Sequence, residues 1–180
     1  MKNILLLCIV FLASCKTSKN TVIELSQHMF LTTENCPKNG ECSIEFIPNK
    51  TIEFKKDEFG IAYPVISEGN KSIFKFTYNK KPLINTQDSN YTEIVYAELD
   101  NPINEISLIG NELETIKLYF GRLCYCKGET GYFPIKKGSF NIKKSNNNSL
   151  KVDIEFTIKE VPQIISKIIE TVSLKSNATN

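Results

Sequence analysis

Four cysteines, a single arginine and a single histidine carry most of the chemistry legible in this 180-residue chain. Of its six cysteines, Cys8 and Cys15 fall in an N-terminal segment of separate character, which leaves Cys36, Cys42, Cys124 and Cys126. An even number of cysteines in an oxidising compartment points to two disulfides. Along a strand, Cys124 and Cys126 would share a face with Cα atoms about 6.6 Å apart, at the far edge of the ~4.4–6.8 Å that disulfides use. Cross-strand neighbours approach to about 4.5–5.5 Å. The expected pairing therefore joins Cys36 and Cys42, one each, to Cys124 and Cys126, with a local Cys36–Cys42 loop around Pro37-Lys38-Asn39-Gly40 as the competitor. Cys-x-Cys could instead hold a soft metal such as copper(I). The companions for that are missing: His28 and Met29 stand far away in sequence, and no second cysteine pair has zinc-type spacing. No metal site and no cofactor are expected. A redox-active reading needs Cys-x-x-Cys in a thioredoxin-like setting, and neither is found.

Arg122 stands out because the chain otherwise uses lysine, twenty-one times. Its planar fork suits a bidentate carboxylate contact that lysine cannot match. That carboxylate could belong to a partner or to a salt bridge within the sheet, and the second is the preferred reading. Around it cluster Tyr119, Phe120, Gly121, Tyr125, Lys127, Gly128, Glu129, Tyr132 and Phe133. Arg122, Tyr125, Lys127, Glu129 and Tyr132 are the binding candidates. Catalytic groups are scarce. A single histidine beside the expected tether argues against a triad with an activated nucleophile, and there is no phosphate-binding glycine loop, Gly-x-Ser-x-Gly or His-Glu-x-x-His. Glu93 and Glu98 are five residues apart, fall on opposite faces of a strand and read as part of a solvated sheet surface. The chain is expected not to be an enzyme, and no catalytic residue is assigned.

The elements that must position these residues are strands. Apolar and polar residues alternate through Cys42–Phe46, Thr51–Phe54, Ser72–Tyr78, Tyr91–Leu99, Thr115–Cys126, Phe140–Ile142 and Leu150–Ile158. In the Tyr91 run, Tyr91, Val95, Ala97 and Leu99 share one side and Ile94 and Tyr96 the other. Breakers suited to turns lie between the runs: Pro48-Asn49, Glu68-Gly69-Asn70, Asp100-Asn101-Pro102, Ile109-Gly110-Asn111, Lys137-Gly138 and Asn146-Asn147-Asn148. The last of these predicts a hairpin. Many short strands without recurrent helices give an all-β fold, an antiparallel β-sandwich. Gly110–Leu118 also allows a helical turn. Pro162–Leu174 fits one short C-terminal helix, since Ile164, Ile165, Ile168, Ile169 and Val172 form a stripe behind Pro162. Its β-branched residues fit a central strand equally well.

The first fifteen residues read differently. Met1-Lys2-Asn3 is basic and Ile4–Ala13 is apolar, the pattern of a secretory signal. Ten apolar residues are too few for a bilayer that needs roughly 20. The run ends in Leu12-Ala13-Ser14-Cys15, which resembles the lipobox of bacterial lipoproteins. The resemblance implies that residues 1–14 are removed, that Cys15 is lipidated and becomes the mature N-terminus, and that several acyl chains give a stable tether. The Lys-, Asn- and Ile-rich composition resembles that of Bacteroidetes proteins. Residues 15–27 then form a lipidated N-terminus and tether, 28–176 the sandwich domain and 177–180 a tail. Lys16-Thr17-Ser18-Lys19 lacks the acidic residues common after the cysteine in surface-exported lipoproteins of that group, so the periplasmic side of the outer membrane is favoured over the cell surface.

A formal net charge of +2 is too even to predict nucleic acid as a partner. The expected role is a non-enzymatic binding or structural module of the envelope, held to the membrane through Cys15 and recognising a protein or glycan. The alternative is a carrier of a small ligand or metal.

Overall fold

The computed structural model describes residues 31–32, 36–82, 84–145 and 149–173. Ten strands follow in chain order: β1 (Leu31–Thr32), β2 (Gly40–Lys56), β3 (Ala62–Lys80), β4 (Tyr91–Asp100), β5 (Ile106–Ile109), β6 (Leu118–Cys124), β7 (Gly131–Pro134), β8 (Gly138–Ser145), β9 (Ser149–Phe156) and β10 (Lys167–Ser173). A 3-10 helix, Gly110–Thr115, lies between β5 and β6. Every pairing is antiparallel. The strands form a six-stranded sheet in the order β1-β2-β3-β4-β6-β7 and a four-stranded sheet in the order β10-β9-β8-β5. The chain is therefore all-β, a two-sheet sandwich.

Period-2 alternation explains the core. Phe46, Phe74, Val95, Ala97 and Phe120 of the first sheet meet Phe140, Ile142, Val152, Ile154 and Phe156 of the second, all fully buried or nearly so. Phe120 and Phe156 touch across the interface with ring centroids 5.7 Å apart. The alternation within β4 runs as its sequence implies: Val95 and Ala97 join this core, while Ile94 and Tyr96 belong to a separate cluster on the outer face.

That second cluster has a cover the sequence did not suggest. Pro48-Asn49 and Glu68-Gly69-Asn70 were expected to be turns between strands, but they lie inside the long strands β2 and β3. The ladder is regular from Gly40↔Lys80 to Pro48↔Ser72, slips, and resumes from Lys50↔Glu68 to Lys56↔Ala62. Asn49 sits at the slip with φ 56°, a left-handed conformation that asparagine tolerates, and its side-chain oxygen accepts from Asn101 Nδ2 at 2.9 Å. Beyond the slip, Ile52 and Phe54 pack with Ile73, Ile94, Tyr96, Leu123 and Tyr132. The distal hairpin arm, residues 50–68, is thus a partial third layer over the first sheet.

The expected C-terminal helix is absent. Residues 157–166 are irregular and β10 pairs along β9 from Lys167↔Glu155 to Ser173↔Ser149. A helix would return the amides of this stretch to carbonyls four residues back. Here Ile164 and Ile165 donate instead to the Glu93 carboxylate at 2.6 and 2.7 Å, and Ile158 N–H donates to Gln163 Oε1 at 2.5 Å. The strand alternative expected a central position, yet among the described strands β10 ends its sheet order. The Asn146–Asn148 turn lies outside the described residues, while the strands flanking it pair up to Ser145↔Ser149. The N-terminal signal, Cys15, the tether, His28 and Met29 lie outside them too, as do the boundaries proposed at 14/15, 27/28 and 176/177.

Candidate functional site

Both disulfides are local, Cys36–Cys42 and Cys124–Cys126, which corrects the expected cross-pairing. The sheet order gives the reason. Cys42 on β2 and Cys124 on β6 have β3 and β4 between them, three strand spacings or about 14 Å, beyond the reach of any disulfide. Cys126 also leaves the strand, because β6 ends at Cys124, and the Cα separation contracts to 5.2 Å.

Glu93 and Glu98, which the sequence places on a solvated sheet surface, are neither solvated nor equivalent. Glu93 faces the core, 1% exposed. It accepts from the amides of Ile164 and Ile165 and from the Tyr91 hydroxyl. Glu98, on the opposite face, receives Thr51 Oγ1, Ile52 N–H and Lys117 Nζ at 2.5, 2.9 and 3.1 Å. Burial pushes the Glu98 carboxyl up, but these hydrogen bonds and the Lys117 charge outweigh it and hold its pKa below the ordinary range.

Arg122 lies opposite Glu93 in the β4–β6 ladder. Its Nη1 donates to the Glu129 carboxylate at 2.8 Å and carbonyl at 2.9 Å, its Nε donates to Tyr91 Oη at 3.3 Å, and the guanidinium covers the Tyr91 ring at 5.3 Å. Burial, then the hydrogen bond to Glu93, push the Tyr91 phenol up to about 12. Burial opposes the Arg122 charge, and Tyr91 and Glu129 overcome it, raising its pKa. With the Arg122 side chain 9% exposed, the arginine fork is filled from within the chain. Arg122→Lys should lower stability by about 1–2 kcal/mol through loss of the paired contacts to Glu129, with partner binding unchanged. Thermal melting beside a binding measurement checks this, and the reverse pattern would restore Arg122 to the binding surface.

The five binding candidates thus divide. Arg122 and Glu129 neutralise each other, Tyr125 and Lys127 project from the loop after β6, and Tyr132 alone lines a cleft. Its ring packs against Gly121, where a Cβ would come within 2.4 Å of it. Phe54 of the arm stacks on Tyr119 at 3.7 Å between centroids and meets Tyr132 at 5.7 Å. Burial raises the Tyr96 and Tyr132 phenols, keeping both neutral.

The cleft holds about 460 Å³ between the arm tip and β6–β7, and its lining includes Phe54, Ile61, Tyr119, Tyr132 and Phe133 with Lys56 and Glu160 at polar positions. The tip is built by Asp57, whose Oδ1 accepts from the amides of Phe59 and Ile61 at 2.9 and 2.8 Å. Gly60 supplies the positive φ of 79° that the turn demands. This fixed tip leaves Phe59 78% exposed, with Ile61 and Tyr63 beside it in sequence also exposed.

The sequence reading missed Phe54, Phe59 and Ile61 as site residues. Asp57-Glu58-Phe59-Gly60 between apolar runs carries the signal, a turn composition, which the equally turn-like Glu68-Gly69-Asn70 masks. Among the described residues no group of three or more His, Cys, Asp or Glu could hold a metal ion. The chain matches no family model, no curated protein and no solved structure.

Proposed function

We propose that the chain is a non-enzymatic binding module of the bacterial envelope, anchored through Cys15, whose working surface is the arm tip and the cleft beneath it. One observation carries this reading: a hydrogen-bonded turn holds Phe59 78% exposed, with the part-exposed Ile61 and Tyr63 (37% and 42%) next to it, beside an aromatic cleft. Exposed aromatic and aliphatic side chains on a rigid support are what partner surfaces use as anchors. The partner is an envelope protein or glycan; a nearly neutral chain gives no pull towards nucleic acid. The two disulfides support an oxidising compartment. The lipobox resemblance supports the outer membrane, with the periplasmic side favoured.

Phe59→Ser combined with Ile61→Ser and Tyr63→Ser should reduce crosslinking of the anchored protein to its partner at least ~10-fold, the effect of losing a hot spot. Phe59→Ser alone should leave melting nearly unchanged because that side chain is 78% exposed, which separates loss of contact from loss of fold. Recovery of the same crosslinked species at full yield would reject the tip as the working surface. The cleft volume favours a second reading, a small-ligand carrier, since such pockets span about 300–1,000 Å³. Native mass spectrometry of protein purified from its own envelope would reveal the added mass.

A further inference from the structure

We propose that Cys124–Cys126 is a thiol–disulfide exchange site that oxidises a dithiol in another polypeptide, a chemistry that does not depend on the binding reading above. The two disulfides of this chain are built for different ends. Cys42 is 4% exposed in the core, and Cys36 packs against the same cluster. Folding therefore shelters the Cys42 end of that bond, while Cys36 is partly exposed. Cys124 and Cys126 are both partly exposed, and the residue between them, Tyr125, is 87% exposed. They are two positions apart. Closing so small a loop removes little entropy from the unfolded chain, so the bond adds little to stability and the fold gives little protection to the bond in return. Exposed disulfides of this kind are the labile ones.

The two sulfurs differ in place: Cys124 ends β6, while Cys126 lies in the loop beyond it. Arg122, two residues before Cys124, is paired with Glu129 at 2.8 Å, so its charge is already met within the chain and the exchange rests on the exposure and short span of the bond. The substrate thiolate attacks Cys126 Sγ, the sulfur on the loop. Its sulfur bonds to Cys126, the Cys124–Cys126 bond breaks, and the electron pair goes to Cys124. The second substrate thiolate attacks the sulfur of its partner in this mixed disulfide and releases Cys126. The substrate loses two electrons and two protons and gains a disulfide. Cys124 and Cys126 take up the two electrons and, from water, two protons. Each molecule reacts once, as a stoichiometric oxidant.

The test uses the full chain with a synthetic peptide bearing two cysteines four residues apart, and separately with reduced glutathione. Acid quenching, alkylation and peptide mapping then follow each disulfide. Modification at Cys124 and Cys126 should run about 100-fold ahead of that at Cys36 and Cys42, with the peptide recovered in its cyclic disulfide form. Equal rates at the two bonds, or a peptide that stays reduced, would overturn the proposal. Because the test needs neither the arm tip nor the cleft, its failure would leave the crosslinking result standing, and the reverse also holds.

Discussion

Glu93→Gln is expected to reduce the free energy of unfolding by about 1–3 kcal/mol, the cost of leaving a buried donor without its acceptor. The substitution barely changes shape, so the loss is one of polarity. Glu93 presents two acceptor oxygens to three donors: Tyr91 Oη–H and Ile164 N–H on Oε1, and Ile165 N–H on Oε2. A glutamine has one carbonyl oxygen and turns an NH₂ towards a donor, leaving at least one amide buried without a partner. The damage should be local first. Residues 157–166 span the gap from β9 to β10 without a regular ladder, and Glu93 ties them to the other sheet. Amide exchange at Ile164 and Ile165 should rise before that of the β3–β4 ladder. Denaturant unfolding gives the global loss, and a value under about 1 kcal/mol would mean that water replaces the carboxylate there.

The same residue shows where sequence reading stops. Alternation correctly put Glu93 on the face of Val95 and opposite Glu98, because side-chain period is a local property of a strand. Which face is dry depends on what covers it, and that is long-range information. The core face closes over Glu93 through residues 157–166, and the outer face closes over Glu98 through the arm. Both covers come from distant sequence, so two acids that look solvated become anchors. The disulfides fail for a related reason. Cysteine count gave two bonds, but choosing partners needs the strand order, and β3 and β4 intervene between Cys42 and Cys124. Pro48-Asn49 and Glu68-Gly69 are sound turn compositions that here bend a continuous ladder instead of ending it. Of the candidate site, Tyr132 was legible because aromatics cluster near it in sequence. Phe54 and Phe59 come from the far hairpin and reach the cleft only when the arm folds back.

That fold-back yields the remaining prediction. Glu98→Ala should cost the docked arm about 2–3 kcal/mol, since hydrogen bonds to a charged acceptor are worth roughly 1.5–3 kcal/mol and the Ile52 amide loses its side-chain acceptor. Ile52 and Phe54 still favour contact with the sheet, so the whole sandwich need not unfold. The arm opens more often instead, as a unit of lower stability. Amide exchange in residues 50–68 should quicken by about 30- to 150-fold, tenfold for each ~1.4 kcal/mol, while β8 and β9 are unchanged. The wild type should approach the same state in acid. The Glu98 pKa is lowered by folding, so its stabilisation is complete above the ordinary glutamate value of 4.5. It is then lost progressively as pH falls through the lower native value. Glu98→Ala should lack that pH step, and equal steps in both proteins would assign it to another carboxylate. Partner capture should weaken in the variant as well, because Phe54, Ile61 and Phe59 travel with the arm. A tip that binds equally well from an undocked arm would make the cleft floor of Tyr119 and Tyr132 dispensable.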